Sequence, residues 1–261
     1  MAGDPERARS ASDVTLRDDD PLAVAATSAL RAGDADTLGR LLSEHPGLAR
    51  GRIESREGGG GSRTLLHVYA DWPGNHPHPR EIVAALRGAG ADLNAPFLGA
   101  HAETALHWAA SNDDVDLIDA LLDAGADLEA PGSVIGDGAP LADATAFGQW
   151  RAAERLLEHG ARSTFFEAAV MGLTDRLDEE LAATPGPGAD EITHALWGAC
   201  HGGRQAAAAL LLERGADINW IGWDDLTALD VAERSDASEL ADWLRERGGR
   251  SAAAPWPWGR T

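Results

Sequence analysis

The sequence contains several similar segments, and two of them have an acidic residue, Asp143 or Glu167, at a position that is apolar in another copy. When the segments are aligned, both fall on the position of Trp108. Packed helical layers lie about 10 Å apart, so the two carboxylates would come near His107 and His201. A partly buried carboxylate has a raised pKa and can act as a general acid or base. If the chain is an enzyme, these residue types predict Asp143, Glu167 and His201 as its catalytic groups.

A structural role is the alternative for both carboxylates. Each could accept hydrogen bonds from the backbone of an adjacent turn, or the Glu167 segment could be aligned one residue out of register. The sequence has no nucleophile elbow or phosphate-binding loop. The pair His76 and His78 is too small for a metal site, and Cys200 is the sole cysteine. Neither a cofactor nor a metal is therefore predicted, and catalysis is the second hypothesis.

The elements that position these residues are repeats. Gly90, Gly125 and Gly160 are each followed by alanine and lie 35 residues apart, and a fixed period of this size indicates stacked units. In the clearest copy, residues 103–131, Thr104 is placed to cap a first helix. An isolated unit cannot bury its apolar face, so stacking completes the core.

Residues 104–110, TALHWAA, resemble the T-P-L-H-x-A signature of ankyrin repeats. The resemblance covers residues 21–248 and implies an all-α ankyrin-repeat solenoid of about seven helix-turn-helix units with short β-turn fingers. Residues 1–20 are predicted to be a disordered arm and residues 249–261 a flexible tail. The DWPG insertion at residues 71–74 looks like that of a bacterial ankyrin-domain family.

The same resemblance implies roles for individual side chains. The motif histidines, His67 and His107, are expected to hydrogen-bond the finger backbone. Trp108 takes a position that is normally leucine and is expected in the core between repeats. The fingers and the exposed face of the first helices are expected to line a concave surface that binds a protein. Its predicted contact residues are Asp71, Trp72, Ser111, Asn112, Asp113, Phe147, Met171, His201, Trp220 and Trp223.

Charge and tryptophan content narrow the function. The formal net charge of −21 repels phosphate backbones, so a nucleic-acid partner is not predicted. A basic or amphipathic protein fits better, and a small apolar ligand is the other class that the charge allows. The sequence has 9 tryptophans and 1 tyrosine; tryptophans in loops and fingers have the profile of binding hot spots. We therefore predict a non-catalytic adaptor or scaffold with a Trp-rich, acidic groove.

Two expectations concern the chain ends and the compartment. No apolar run reaches the ~18 residues of a membrane span, and the N-terminus has no apolar stretch like that of a signal peptide. A cytoplasmic protein without a membrane partner is therefore predicted. A third hypothesis makes Trp256 and Trp258 a short ligand for another protein or for the chain's own groove.

Overall fold

The computed structural model describes residues 14–55 and 61–252, which are mainly helical. The chain divides into two compact units, unit 1 (residues 1–161) and unit 2 (residues 162–261). Within the described ranges, no helix is both long and apolar enough to cross a membrane.

Within residues 14–55 and 61–161, unit 1 contains four helix pairs. They are α1 (Pro21–Ala32) with α2 (Ala35–Glu44), α3 (Leu65–Ala70) with α4 (Pro79–Gly88), α5 (Ala105–Ser111) with α6 (Val115–Asp123), and α7 (Pro140–Ala146) with α8 (Trp150–Glu158). The first helices pack in the order α1, α3, α5, α7, and the second helices in the order α2, α4, α6, α8. Small alanines on the first helices allow this close packing, and Ala109 and Ala110 are fully buried.

A small sheet joins a strand that precedes α1 to two strands that lie between α2 and α3 in sequence. Strand β1 (Thr15–Arg17) pairs in parallel with β2 (Arg52–Glu54), which pairs antiparallel with β3 (Ser62–Thr64). The expectation of a disordered arm over residues 1–20 is therefore wrong for residues 15–17. Asp20 caps α1 by accepting a hydrogen bond from the Leu22 amide at 2.8 Å.

The described part of unit 2, residues 162–252, contains three further helix pairs. They are α9 (Phe165–Met171) with α10 (Thr174–Ala182), α11 (Ala189–His201) with α12 (Gln205–Glu213), and α13 (Ala228–Arg234) with α14 (Ser238–Glu246). Helices α9 and α13 both pack against α11. The core is again built from alanine and leucine, with Cys200 fully buried among them.

Part of the predicted C-terminal tail is attached to unit 2. The Thr227 hydroxyl donates to the Arg250 carbonyl at 2.8 Å, and the Ala252 amide donates to the Asp230 carboxylate at 2.8 Å. Residues 250–252 are thus held in place. Trp256 and Trp258 lie outside the described residues.

Candidate partner-binding site

The two motif histidines hold the fingers of unit 1. His67 Nδ1 accepts from the Thr64 amide, and its Nε2 lies 2.9 Å from the Glu103 carbonyl. His107 repeats the arrangement with the Thr104 amide at 3.0 Å and the Gly138 carbonyl at 3.3 Å. Since one ring nitrogen accepts and the other must donate, both imidazoles are neutral. Burial lowers the pKa of His67 to about 4 and also lowers the pKa of His107. The structural role implied for these histidines is confirmed.

The fingers and first helices of unit 1 frame an open depression of about 250 Å³. Five of its lining residues were predicted as contact residues, and Val134 was predicted to lie in a finger along the same surface, whereas Glu103 and Trp108 were not predicted there. The five predicted contact residues are Asp71, Trp72, Ser111, Asn112 and Phe147. We refer to this feature as the unit 1 depression. The repeat alignment thus located most of its lining, because equivalent positions of stacked units lie side by side.

Aromatic rings form much of the unit 1 depression. Trp72, in the loop after α3, is 77% exposed, and Phe147, at the end of α7, is 51% exposed. Trp108 is half-buried, with its ring centroid 5.0 Å from that of His67 and 5.4 Å from that of Phe97. Trp108 packs between repeats as expected, but its ring is only partly buried and also lines the depression.

Two carboxylates contribute the charge of the unit 1 depression. Asp71 is paired with Arg63, whose guanidinium lies 2.7 Å from the Asp71 carboxylate. Glu103 is half-buried and accepts a hydrogen bond from the Trp108 side chain. Burial raises the pKa of Glu103 above its ordinary value, and the hydrogen bond opposes that rise. No residue that lines the depression is cationic.

Asp143 lies at the predicted alignment with Trp108, since both are the fourth residue of their helix. It is fully buried and does not line the unit 1 depression. The Ser133 hydroxyl donates to Asp143 Oδ1 at 2.6 Å, whereas Oδ2 is buried without a hydrogen-bond partner among the described residues. Burial raises the pKa of Asp143 to about 6, and the negative charge of Glu103 adds to the rise.

Glu167 has a different environment from Asp143. It is the third residue of α9, so it aligns with His107, and Ala168 takes the Trp108 position. The predicted alignment of Glu167 is therefore wrong by one residue. Its carboxylate accepts from the Thr164 amide at 2.6 Å, and the Thr164 hydroxyl accepts from the Glu167 amide at 3.2 Å. This reciprocal pair is a capping box, which satisfies two amides at the helix start.

The polar residues at the end of α5 are held by hydrogen bonds, two of them to neighbouring repeats and one, from Ser111, within α5 itself. The Asn112 carboxamide donates to the Ala70 carbonyl at 2.8 Å. The Asp113 carboxylate accepts from the Ala152 amide at 2.7 Å, at the start of α8. The Ser111 hydroxyl donates to the His107 carbonyl at 2.9 Å. These bonds fix the shape of the surface at the three predicted contact residues.

An aromatic cluster lies in the finger between α12 and α13 of unit 2. Trp223 is 49% exposed, and its ring centroid lies 5.0 Å from that of Trp197 and 5.6 Å from that of Trp220. The Trp197 indole donates to the Leu226 carbonyl at 3.1 Å, and its ring stacks on that of His201 at 5.8 Å. The predicted contact residues Trp220, Trp223 and His201 are thus part of one cluster.

Met171, the remaining predicted contact residue, is the last residue of α9 and is only 8% exposed. Little of this side chain can contact a partner. Sequence reasoning placed it on the surface because it comes shortly after the alanine pair Ala168 and Ala169, as Ser111 comes after Ala109 and Ala110. A long apolar side chain at this position is buried, whereas serine at the equivalent position is half-exposed.

Comparison with known families adds to this geometry. A family model of the ankyrin repeat matches residues 102–133. The chain contains an ankyrin repeat at these residues. The matched segment contains α5 and α6 and supplies Glu103, Trp108, Ser111 and Asn112 to the unit 1 depression. Ankyrin repeats generally mediate contacts between proteins. No curated protein matches the chain significantly.

Proposed function

We propose that the chain is a non-catalytic adaptor or scaffold that binds a protein partner in the unit 1 depression. The observation that carries the proposal is Trp72, 77% exposed beside Phe147 at 51% in a concave, polar-rimmed surface. Exposed aromatic side chains grouped in this way are typical of interaction sites, and buried tryptophans supply much of their binding energy. We also propose that all seven helix pairs are ankyrin repeats.

The charge of the chain supports a basic partner. Asp71, paired with Arg63, and Glu103 line the depression, and the whole chain carries a formal charge of −21. Opposite charges accelerate association and disfavour acidic competitors. The aromatic cluster around Trp223 in unit 2 is proposed as a second contact surface of the same module.

The buried carboxylates favour binding over catalysis. A general acid or base must reach its substrate within hydrogen-bonding distance. Asp143 is 0% exposed and is absent from the lining of the open unit 1 depression, while Glu167 accepts the amide hydrogen bond of a capping box. Burial thus keeps Asp143 from a substrate in the depression, and the capping box accounts for the Glu167 carboxylate without a reaction.

Affinity capture tests the proposal. The full chain and its Trp72→Ala and Trp223→Ala variants are immobilised and exposed to a lysate of the source organism. Proteins retained are quantified by mass spectrometry. We expect Trp72→Ala to reduce the retained partner at least tenfold, since removal of a hot-spot tryptophan costs about 2 kcal/mol or more.

Val24→Ala is the matched control. Val24 lies on α1, is 50% exposed and does not line the depression, so its removal should leave capture unchanged. Thermal unfolding of Val24→Ala and Trp72→Ala should coincide with that of the parent chain, because these side chains are exposed. Trp223→Ala removes ring contacts with Trp197 and Trp220 and should unfold at a lower temperature, so its capture is measured at a temperature where it remains folded. Full retention of every partner by a folded Trp72→Ala variant would reject the unit 1 depression as the binding surface.

A further inference from the structure

We infer that the unit 1 depression is a binding site for an arginine side chain of the partner, with Glu103 as the acceptor of its guanidinium and Trp72 and Trp108 as its aromatic contacts. This inference rests on the proposed function and gives the chemistry of the ligand at the same site.

Of the two carboxylates that line the depression, Glu103 is the one that lacks an ion-pair partner among the described residues. Asp71 is already paired with Arg63 at 2.7 Å, whereas Glu103 has no ion pair with any residue in the ranges 14–55 and 61–252. Its carboxylate accepts one side-chain hydrogen bond, from Trp108. A carboxylate has about four acceptor positions, so Glu103 retains capacity for two further donors.

The polarity of Glu103 disfavours a neutral apolar ligand. Such a ligand would cover a half-buried carboxylate without replacing the water it displaces, and removing a charge from water without a partner is costly. A cationic ligand gives that carboxylate a partner as it is covered. The occupant that the charge distribution favours is therefore a cation.

The aromatic residues select among cations. Indole rings attract cations through their negative faces, and tryptophan is the strongest of the aromatic side chains in this respect. A guanidinium is planar, weakly hydrated and able to donate two parallel hydrogen bonds to one carboxylate, whereas a lysine ammonium is compact and strongly hydrated. The combination of Trp72, Trp108 and Glu103 therefore favours arginine over lysine.

The remaining lining residues suit the aliphatic part of the ligand. Val134 is half-buried and Phe147 is 51% exposed at the same depression. An arginine carries three methylene groups that pack on apolar surface while its charged end is solvated or paired. The opening of the depression to solvent leaves a path for the partner's backbone to remain outside.

The test uses a single-charge probe, N-acetyl-arginine methylamide, titrated into the full chain to millimolar concentrations. Binding is followed by NMR through the indole N–H resonances of Trp72 and Trp108, assigned with Trp72→Phe and Trp108→Phe. We expect both resonances to shift in a saturable manner. N-acetyl-citrulline methylamide, a neutral isostere, should produce no saturable shift. Glu103→Gln should weaken arginine binding about tenfold, the effect of losing one charge-assisted hydrogen bond.

Glu154→Gln is the matched control, because Glu154 is exposed on α8 and does not line the depression; it should bind the probe as the parent chain does. Equal shifts with the citrulline probe, no shift with the arginine probe, or equal binding of N-acetyl-lysine methylamide would each overturn the inference. Partner capture that is lost in Trp72→Ala without arginine binding would leave the proposed function standing. Arginine binding with capture intact in Trp72→Ala would instead reject the proposed function.

Discussion

Among single residues, Asp143 lies in an environment that disfavours its charge. Its pKa is about 6 in the folded chain and about 3.9 in an unfolded one. Between these pH values the folded chain binds a proton that the unfolded chain has released. Folding stability therefore decreases as the pH rises through this interval and stays lower above it. A neutral residue of the same shape should remove this penalty.

We predict that Asp143→Asn raises the free energy of unfolding by about 2 kcal/mol at pH 7.5. The asparagine oxygen can still accept the hydrogen bond from Ser133, while the buried charge is gone. The gain should disappear near pH 4, where Asp143 is protonated in the folded chain. Urea unfolding of both proteins at the two pH values measures the difference.

Glu154→Gln, an exposed carboxylate on α8, is the control and should change stability little at either pH. A loss of stability in Asp143→Asn at pH 7.5 would mean that the ionised carboxylate has a stabilising partner. In that case Asp143 would not be a buried, penalised charge.

At the level of elements, Glu167 and Thr164 determine how α9 begins. The capping box should make glutamine an acceptable substitute for Glu167, because its side-chain oxygen can also accept from the Thr164 amide. We predict that Glu167→Ala lowers the free energy of unfolding by about 1 kcal/mol, whereas Glu167→Gln has a much smaller effect. Chemical denaturation of the parent chain, Glu167→Ala and Glu167→Gln at pH 7.5 measures both effects.

The comparison also separates the two hypotheses for Glu167. A capping role is insensitive to the loss of ionisation but sensitive to the loss of the acceptor. Equal destabilisation by alanine and glutamine would contradict the capping box as the source of its contribution. These stability measurements concern only the start of α9. Partner capture by Glu167→Gln should match that of the parent chain.

The same element shows which parts of the fold the sequence predicts. The α5–α6 pair follows from Thr104, His107 and Gly125, which supply local capping and termination signals. In α9 the motif histidine is replaced by glutamate, and without that marker the alignment slipped by one residue. The strands β1 to β3 are 3 residues each, too short for an alternating pattern, and their pairing depends on contacts distant in sequence.

The residues of the candidate site, like the elements of the fold, could be predicted from the sequence only in part. Trp72 and Phe147 could be found because they occupy exposed repeat positions in the loop and at the end of a first helix. Glu103 was missed, because it immediately precedes the capping threonine and has no motif of its own. The feature that could have identified Glu103 was its position in the finger. Its backbone carbonyl lies 2.9 Å from His67 Nε2. Trp108 was assigned to the core since the motif has leucine there, and its larger ring extends to the surface.

For the whole molecule, the main physical property is a formal charge of −21 on 261 residues. Such a charge attracts cations over a distance set by the Debye length, about 10 Å at 0.1 M salt. It acts on any cationic ligand, including the arginine probe, independently of the contacts made in the unit 1 depression. Long-range attraction and local recognition can therefore be separated by their response to salt.

We predict that the dissociation constant of N-acetyl-arginine methylamide rises severalfold between about 20 mM and about 500 mM NaCl. The Glu103→Gln variant should bind more weakly at every salt concentration, yet show the same dependence on salt. Loss of one charge removes a local hydrogen-bond acceptor but leaves the remaining acidic field nearly unchanged. NMR titrations of both proteins at four salt concentrations supply the two slopes. A salt dependence that vanished in Glu103→Gln would instead assign the attraction to that single carboxylate, and the net charge of the chain would then have no part in recruiting the ligand.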